Sequence, residues 1–147
     1  MYSKQKKIIS VVCDSGIKIE SQQIKNSTMS ADLARKMYDD DIDVVESFYV
    51  MILSRSHKLK HWAKISQGGV SGTFVDVRII CKHVVDCLGS AVIIVHNHPS
   101  GNLQPSEQDK QITKKIKQAL EIFDVSLLDH LILTEDDHFS FADSGLI

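Results

Sequence analysis

Apolar and polar positions alternate with a period of two in some stretches of this chain and recur every three to four residues in others, and the two periods divide it into strands and helices. In IISVVC (8–13) and IKIESQQI (17–24), β-branched residues flank an Asp-Ser-Gly turn signal, which predicts an opening hairpin. From Ser27 to Asp40, Leu33, Ala34, Met37 and Tyr38 share one helical face, with Ser30 as the expected N-cap and the acidic run Asp39, Asp40 and Asp41 as the end, where negative charge opposes the helix dipole. ESFYVMILS (46–54) and KLKHWAKIS (58–66) bracket Arg55-Ser56-His57 and predict two antiparallel strands joined by a tight turn. The first is nearly all apolar, hence central. The second alternates Leu59, His61, Ala63 and Ile65 against Lys58, Lys60, Trp62 and Lys64, which predicts one packed face and one wet face.

The remaining elements follow the same logic. After the flexible connection QGGVSG (67–72), Val77, Ile80, Cys81, Val84, Val85 and Leu88 recur at helical spacing, with Gly89 placed to close the helix. SAVIIVHNH (90–98) has the continuous apolar run of a strand covered on both sides. Ile112, Ile116, Ala119, Leu120 and Phe123 mark an amphipathic helix between Ser106 and Phe123, and SLLDHLILT (126–134) and HFSF (138–141) read as two further strands. The prediction is an α/β fold, a mixed β-sheet flanked by helices, in a single domain spanning residues 1–147.

The chemistry concentrates in HNHPSGNLQPSEQD (96–109). His96 and His98 stand two apart at a strand end, so the strand period turns both imidazoles to the same face, and Pro99 keeps His98 extended. Residues 99–108 are enough chain to fold back and bring Asp109, in a first helical turn, to the strand end. Two imidazoles and one carboxylate leave a fourth zinc position for water, as in catalytic rather than structural zinc sites. A plainer reading competes with this one. Ser106 with Asp109 three residues later is also a helix-capping pair, and an H-x-H at a strand end is by itself a weak signal. Capping and ligation can nevertheless share the same residues.

His96-Asn97-His98-Pro99 followed by Ser106-x-x-Asp109 resembles the JAMM motif of the JAB/MPN metalloprotease superfamily, whose pattern is an upstream Glu, then H-x-H-P, then S-x-x-D. HNHPSG, PSEQD, LLDHLIL and the closing FSFADSGLI are similar in particular to RadC-like domains. The resemblance implies a cytidine-deaminase-like JAB/MPN architecture and one zinc per chain held by His96, His98 and Asp109. It implies Glu46 as the catalytic acid/base and Ser106 as donor to the oxyanion of a tetrahedral intermediate, in a hydrolase acting on a peptide or isopeptide bond. The helix-hairpin-helix segment that often precedes such domains is not expected in this sequence. Where the family usually carries Arg-Glu before the zinc strand, Arg78 is followed by Ile79. Asp129 and His130 are expected to face opposite sides of a strand in packed, hydrogen-bonded roles, one of them able to orient a metal ligand. His57, His61, His83 and His138 show no ligand spacing to one another and read as surface or edge residues.

Charge and composition narrow the alternatives. A formal net charge of −2 does not favour phosphate attraction over the whole surface, and Lys110, Lys114, Lys115 and Lys117 read as the solvated face of a helix. The alternative function of another class is an accessory protein in DNA repair or mobile-element biology that binds DNA or a protein partner without peptidase activity; it predicts salt-dependent DNA affinity. Cys13, Cys81 and Cys87 are odd in number and lack C-x-x-C spacing, so reduced and mostly buried thiols are expected. No run approaches the ~18 to 20 apolar residues of a membrane span, and the expectation is a cytoplasmic protein. An exposed edge of the opening hairpin would support a homodimer or a strand-adding peptide.

Overall fold

The computed structural model describes residues 22–68 and 74–147. The strands of the opening hairpin before Gln22, Cys13 and most of the QGGVSG connection lie outside the described residues. In chain order the elements are α1 (Ser27–Arg35), β1 (Ser47–Leu53), β2 (Leu59–Gln67), α2 (Val77–Cys87), β3 (Ala91–Asn97), α3 (Glu107–Glu121), β4 (Ser126–Leu133) and β5 (His138–Ser140). The strands form one mixed sheet in the order β2-β1-β3-β4-β5. β3 and β4 are parallel and joined through α3, while the other neighbours are antiparallel. Among the described residues this makes a five-stranded mixed sheet with three helices.

β1 and β3 are buried along their whole length because both sheet faces are covered. One core gathers Leu33, Ala34 and Met37 from α1 and its end against Met51, Ile93 and Leu131. The opposite core packs Ile80 and Val84 of α2 and Ile116 and Leu120 of α3 against Val50, Ile52, Val92 and Ile94. Alternation along the central strands therefore separates two apolar cores instead of an inside from an outside.

That double coverage corrects the reading of β2. Trp62, expected on a wet face, is 3% exposed and packs in the α1-side core, with its ring centroid 5.9 Å from that of Tyr49. His61, expected at the surface or a sheet edge, lies on the edge strand β2 but is buried, and its Nε2 lies 3.0 Å from Nδ1 of His83. The N-cap of α1 is Asn26, whose side chain accepts from Met29 N, whereas Ser30 lies inside the helix and turns its hydroxyl back to Asn26 O. The helix ends at Arg35 rather than Asp40: Lys36 and Met37 reach only three residues back, and Asp41 O caps a following turn by accepting from Val44 N and Val45 N.

α2 also closes differently from expectation. Leu88 adopts the left-handed conformation, at φ 49°, that its successor Gly89 was expected to supply. Gly89 answers a different demand, because a Cβ there would come within 2.3 Å of Ile52 Cγ2. A close approach of backbone to β1, not a turn, calls for glycine. Cys81 and Cys87 are free and partly buried, and burial raises both thiol pKa values above the ordinary range. Among the described residues no helix is long and apolar enough to cross a membrane.

Candidate metal centre

The C-terminal end of β3 carries the candidate ligands out of the core. His96 pairs across the sheet with Phe48 and stacks on its ring at 6.0 Å, which leaves the imidazole 1% exposed. His98 follows the strand, its N–H donating to Leu133 O at 2.9 Å, and its Nδ1–H donates to Asn102 O at 2.5 Å. A carbonyl only accepts, so this bond places the proton on Nδ1 and leaves Nε2 facing inward.

Asn97, between them, points the other way and is fully buried. Its side chain accepts from Ser47 N at 2.8 Å and donates to Ile42 O at 2.6 Å and Val45 O at 2.8 Å. Three bonds from one amide thus tie the segment leading into β1 to the histidine strand. Glu46 sits in that segment, half-buried, with its own carbonyl accepting from Gly68 N.

α3 supplies the carboxylate. Ser106 is its N-cap, and a complete capping box forms: Asp109 N donates to Ser106 Oγ at 3.0 Å while Ser106 N donates to Asp109 Oδ2 at 2.7 Å. The same carboxylate reaches His96 Nε2 at 3.2 Å through Oδ1 and His98 Nε2 at 3.5 Å through Oδ2, and the two Nε2 atoms are 2.9 Å apart. Capping and convergence on the histidines are both present in one residue.

The donor set fits a divalent cation. Ligand atoms of His96, His98 and Asp109 all lie within 4.8 Å of one another. Four ligands placed tetrahedrally at ~2.0 to 2.2 Å from a zinc ion stand roughly 3.3 to 3.6 Å apart, close to the 2.9 to 3.5 Å contacts seen here. Electron-rich atoms this close repel one another unless a metal or a proton sits among them. In the metal-free protein the Asp109 carboxylate, hydrogen-bonded to His98, raises the pKa of that imidazole, with the Asn102 carbonyl and Glu46 adding to the effect against burial. Burial pushes the Asp109 carboxyl up, but the adjoining His96 and His98 imidazoles outweigh it and hold the group well below the usual carboxylate range. The centre is built to hold positive charge.

Glu46, His98, Pro99, Asn102, Gln104 and Ser106 line one open cavity of about 480 Å³. All five residues expected from the sequence are therefore brought to one end of the sheet: His96, His98 and Asp109 in mutual contact, and Glu46 and Ser106 lining the adjoining cavity. Sequence reasoning left His130 undecided. Its Nε2 lies 2.8 Å from His96 Nδ1, behind the ligand, and its Nδ1 lies 2.6 Å from Thr113 Oγ1. Asp129 has a different task, accepting from Ser140 Oγ, Ala142 N and His130 N to anchor the C-terminal turn. Ile79 lies on α2, 41% exposed, and Arg78 beside it grips Asp76 at 2.6 Å.

The match to known families follows these features. A family model described as the RadC-like JAB domain matches residues 24–146. The chain belongs to this family. Relatives agree with it: a UPF0758 protein of Flavobacterium johnsoniae is 52% identical over 101 residues, covering 69% of this chain and 44% of its own length. A UPF0758 protein of Porphyromonas gingivalis is 46% identical over 103 residues, covering 69% of this chain and 45% of its own length. One from Shewanella pealeana is 32% identical over 139 residues, covering 90% of this chain and 60% of its own length. The chain thus spans about half the length of the curated relatives it matches. The His-His-Asp group of a candidate metal site lies within the residues matched by the RadC-like JAB domain model.

Proposed function

We propose that this RadC-like domain is a zinc-dependent hydrolase of peptide or isopeptide bonds, with His96, His98 and Asp109 holding the metal. The observation that carries the reading is the convergence of two imidazole nitrogens and a carboxylate at the end of β3, beside a cavity lined by Glu46. Zinc bound there supplies Lewis acidity, making water acidic near neutral pH and polarising a carbonyl. Glu46 takes a proton from the attacking water and returns it to the leaving amine, which needs a carboxylate at the cavity mouth rather than among the ligands. Asn97 holds the Glu46 segment against β3 through its three backbone bonds, so the base and the ligands keep a fixed spacing. Ser106, which lines the same cavity, donates its hydroxyl proton to the oxyanion as it forms.

Elemental analysis of purified protein tests the metal, with His98→Ala beside the wild type: about one zinc per chain is expected in the first and little in the second. Glu46→Gln tests the chemistry. It is expected to keep its zinc and lose hydrolysis of a peptide and isopeptide panel by at least ~100-fold. Wild-type protein that stays folded and takes up no added zinc would overturn the reading.

A further inference from the structure

We infer that His130 and Thr113 are positioning residues of the metal centre: in series they hold His96 with its Nδ1 protonated and its Nε2 lone pair turned toward Asp109 and His98. The inference rests on the metal-site reading above and goes beyond it, because neither residue lies among the candidate ligands or lines the cavity.

The direction of the series follows from its last member. Thr113 Oγ1 is 2.5 Å from Asp109 O. Two oxygens that close with no proton between them would repel, and a backbone carbonyl has no proton to give, so the Thr113 hydroxyl donates to Asp109 O. A hydroxyl carries one proton. Thr113 Oγ1 must then accept from His130 Nδ1–H across 2.6 Å. His130 is fully buried, its ring stacked on Phe141 at 4.5 Å and set edge-on to Phe48 at 5.8 Å, surroundings that disfavour an imidazolium. With Nδ1 protonated, neutral His130 offers only a lone pair at Nε2. The bond of 2.8 Å to His96 Nδ1 can then run in one direction, from His96 to His130.

The consequence lies on the far side of the His96 ring. In its other tautomer His96 would donate Nε2–H to the Asp109 carboxylate, 3.2 Å away, and a ligand pair would close into a hydrogen bond. The relay removes that competitor by occupying Nδ1–H. It also ties the three elements together, since the series starts on a ligand in β3, passes through β4 and α3, and ends on the backbone carbonyl of a second ligand, Asp109. A skip in register makes this reach feasible. β4 advances one extra residue between Val92↔Leu127 and Ile93↔Asp129, so Ile94 is paired with His130, on the face that carries His96.

The test is a zinc titration in competition with a chromophoric chelator, on wild type, His130→Phe, Thr113→Val and Thr113→Ser. His130→Phe should weaken zinc about 10- to 100-fold, Thr113→Val should weaken it about tenfold, and Thr113→Ser, which keeps the hydroxyl, should restore near wild-type affinity. Melting of the metal-free proteins separates packing from affinity, since a merely structural role moves the melting temperature and leaves zinc affinity in place. Should His130→Phe fail to fold, the Val and Ser pair carries the same comparison. Variants that bind zinc as tightly as wild type overturn the inference. Nitrogen-15 NMR of metal-free wild type gives a second readout: His130 is expected as its Nδ1–H tautomer, and an Nε2–H tautomer reverses the series and overturns the inference even where zinc binds. A wild type that takes up no zinc at all fails at the earlier reading, and the inference falls with it.

Discussion

Helices α2 and α3 each begin with a carboxylate that accepts a backbone N–H, Asp76 as the N-cap of α2 and Asp109 as the third residue of α3, and put it to different ends. At α2, Asp76 accepts from Arg78 N at 2.9 Å and is gripped by the Arg78 guanidinium, whose side chain is 91% exposed. At α3, the carboxylate of the capping box is half-buried and turned toward two imidazoles. Both carboxylates satisfy an orphan helix N–H, but only Asp109 has its remaining lone pairs directed at groups that can share a cation. A cap becomes a candidate ligand through what stands opposite it, here the strand end that follows the apolar run of β3. The spacing S-x-x-D alone does not make that distinction.

The sharpest way to break the comparison is to delete each carboxylate. Asp109→Ala should reduce zinc from about one per chain to nearly none and abolish hydrolysis, because two imidazoles alone make a weak site. Asp76→Ala should leave zinc content and activity unchanged and lower the melting temperature slightly. Metal analysis and melting curves on the two variants check this, and equal zinc content in both would return α3 to an ordinary capped helix.

A smaller effect separates the two tasks of Ser106. Losing the cap costs about 1 kcal/mol of stability. Losing a donor aimed at a developing oxyanion costs ~3 to 4 kcal/mol of barrier, roughly a 100- to 1,000-fold drop in kcat. Ser106→Ala is therefore expected to retain its zinc, melt a few degrees lower and hydrolyse far more slowly. The reduced stability with full activity would confine Ser106 to the role that Asp76 plays at α2.

The sequence carried most of the sheet because its strands are short, apolar and bounded by turns, and it carried the candidate ligands because H-x-H-P and S-x-x-D are local spacings. What it could not carry were relations between distant elements. Trp62 reads as wet on alternation alone; the cover that buries it comes from α1, an element some thirty residues earlier. Gly89 reads as a helix stop, and only the approach of Ile52 shows what it is for. His130 lies thirty-four residues from His96, and its side of the sheet depends on a register skip that no periodicity displays. One signal was present: an imidazole inside the apolar run LLDHLIL needs a buried partner, and the site supplies it.

Acid titration of the metal-free protein distinguishes the two caps by the smallest margin. Both carboxyls are held below the ordinary range, Asp76 by its hydrogen bonds from Arg78 and Asp109 by the adjoining imidazoles of His96 and His98 against burial. A carboxyl whose pKa is depressed on folding contributes stability that is present above its unfolded pKa of ~3.9 and lost as pH falls through the folded value. The contributions differ in their exposure to salt. Screening shortens from ~10 Å at 0.1 M to ~3 Å at 1 M ionic strength and acts mainly on solvated pairs, so Asp76 should drift back toward its ordinary value as salt is raised. Asp109, enclosed by the capping box and two imidazoles, should stay ionised down to the acid-unfolding transition at either salt. Carboxyl carbon-13 NMR at low and high salt follows both groups in one sample. Equal salt sensitivity would mean that the Asp109 carboxylate is as open to solvent as Asp76, and would remove the enclosure on which its proposed role as a ligand depends.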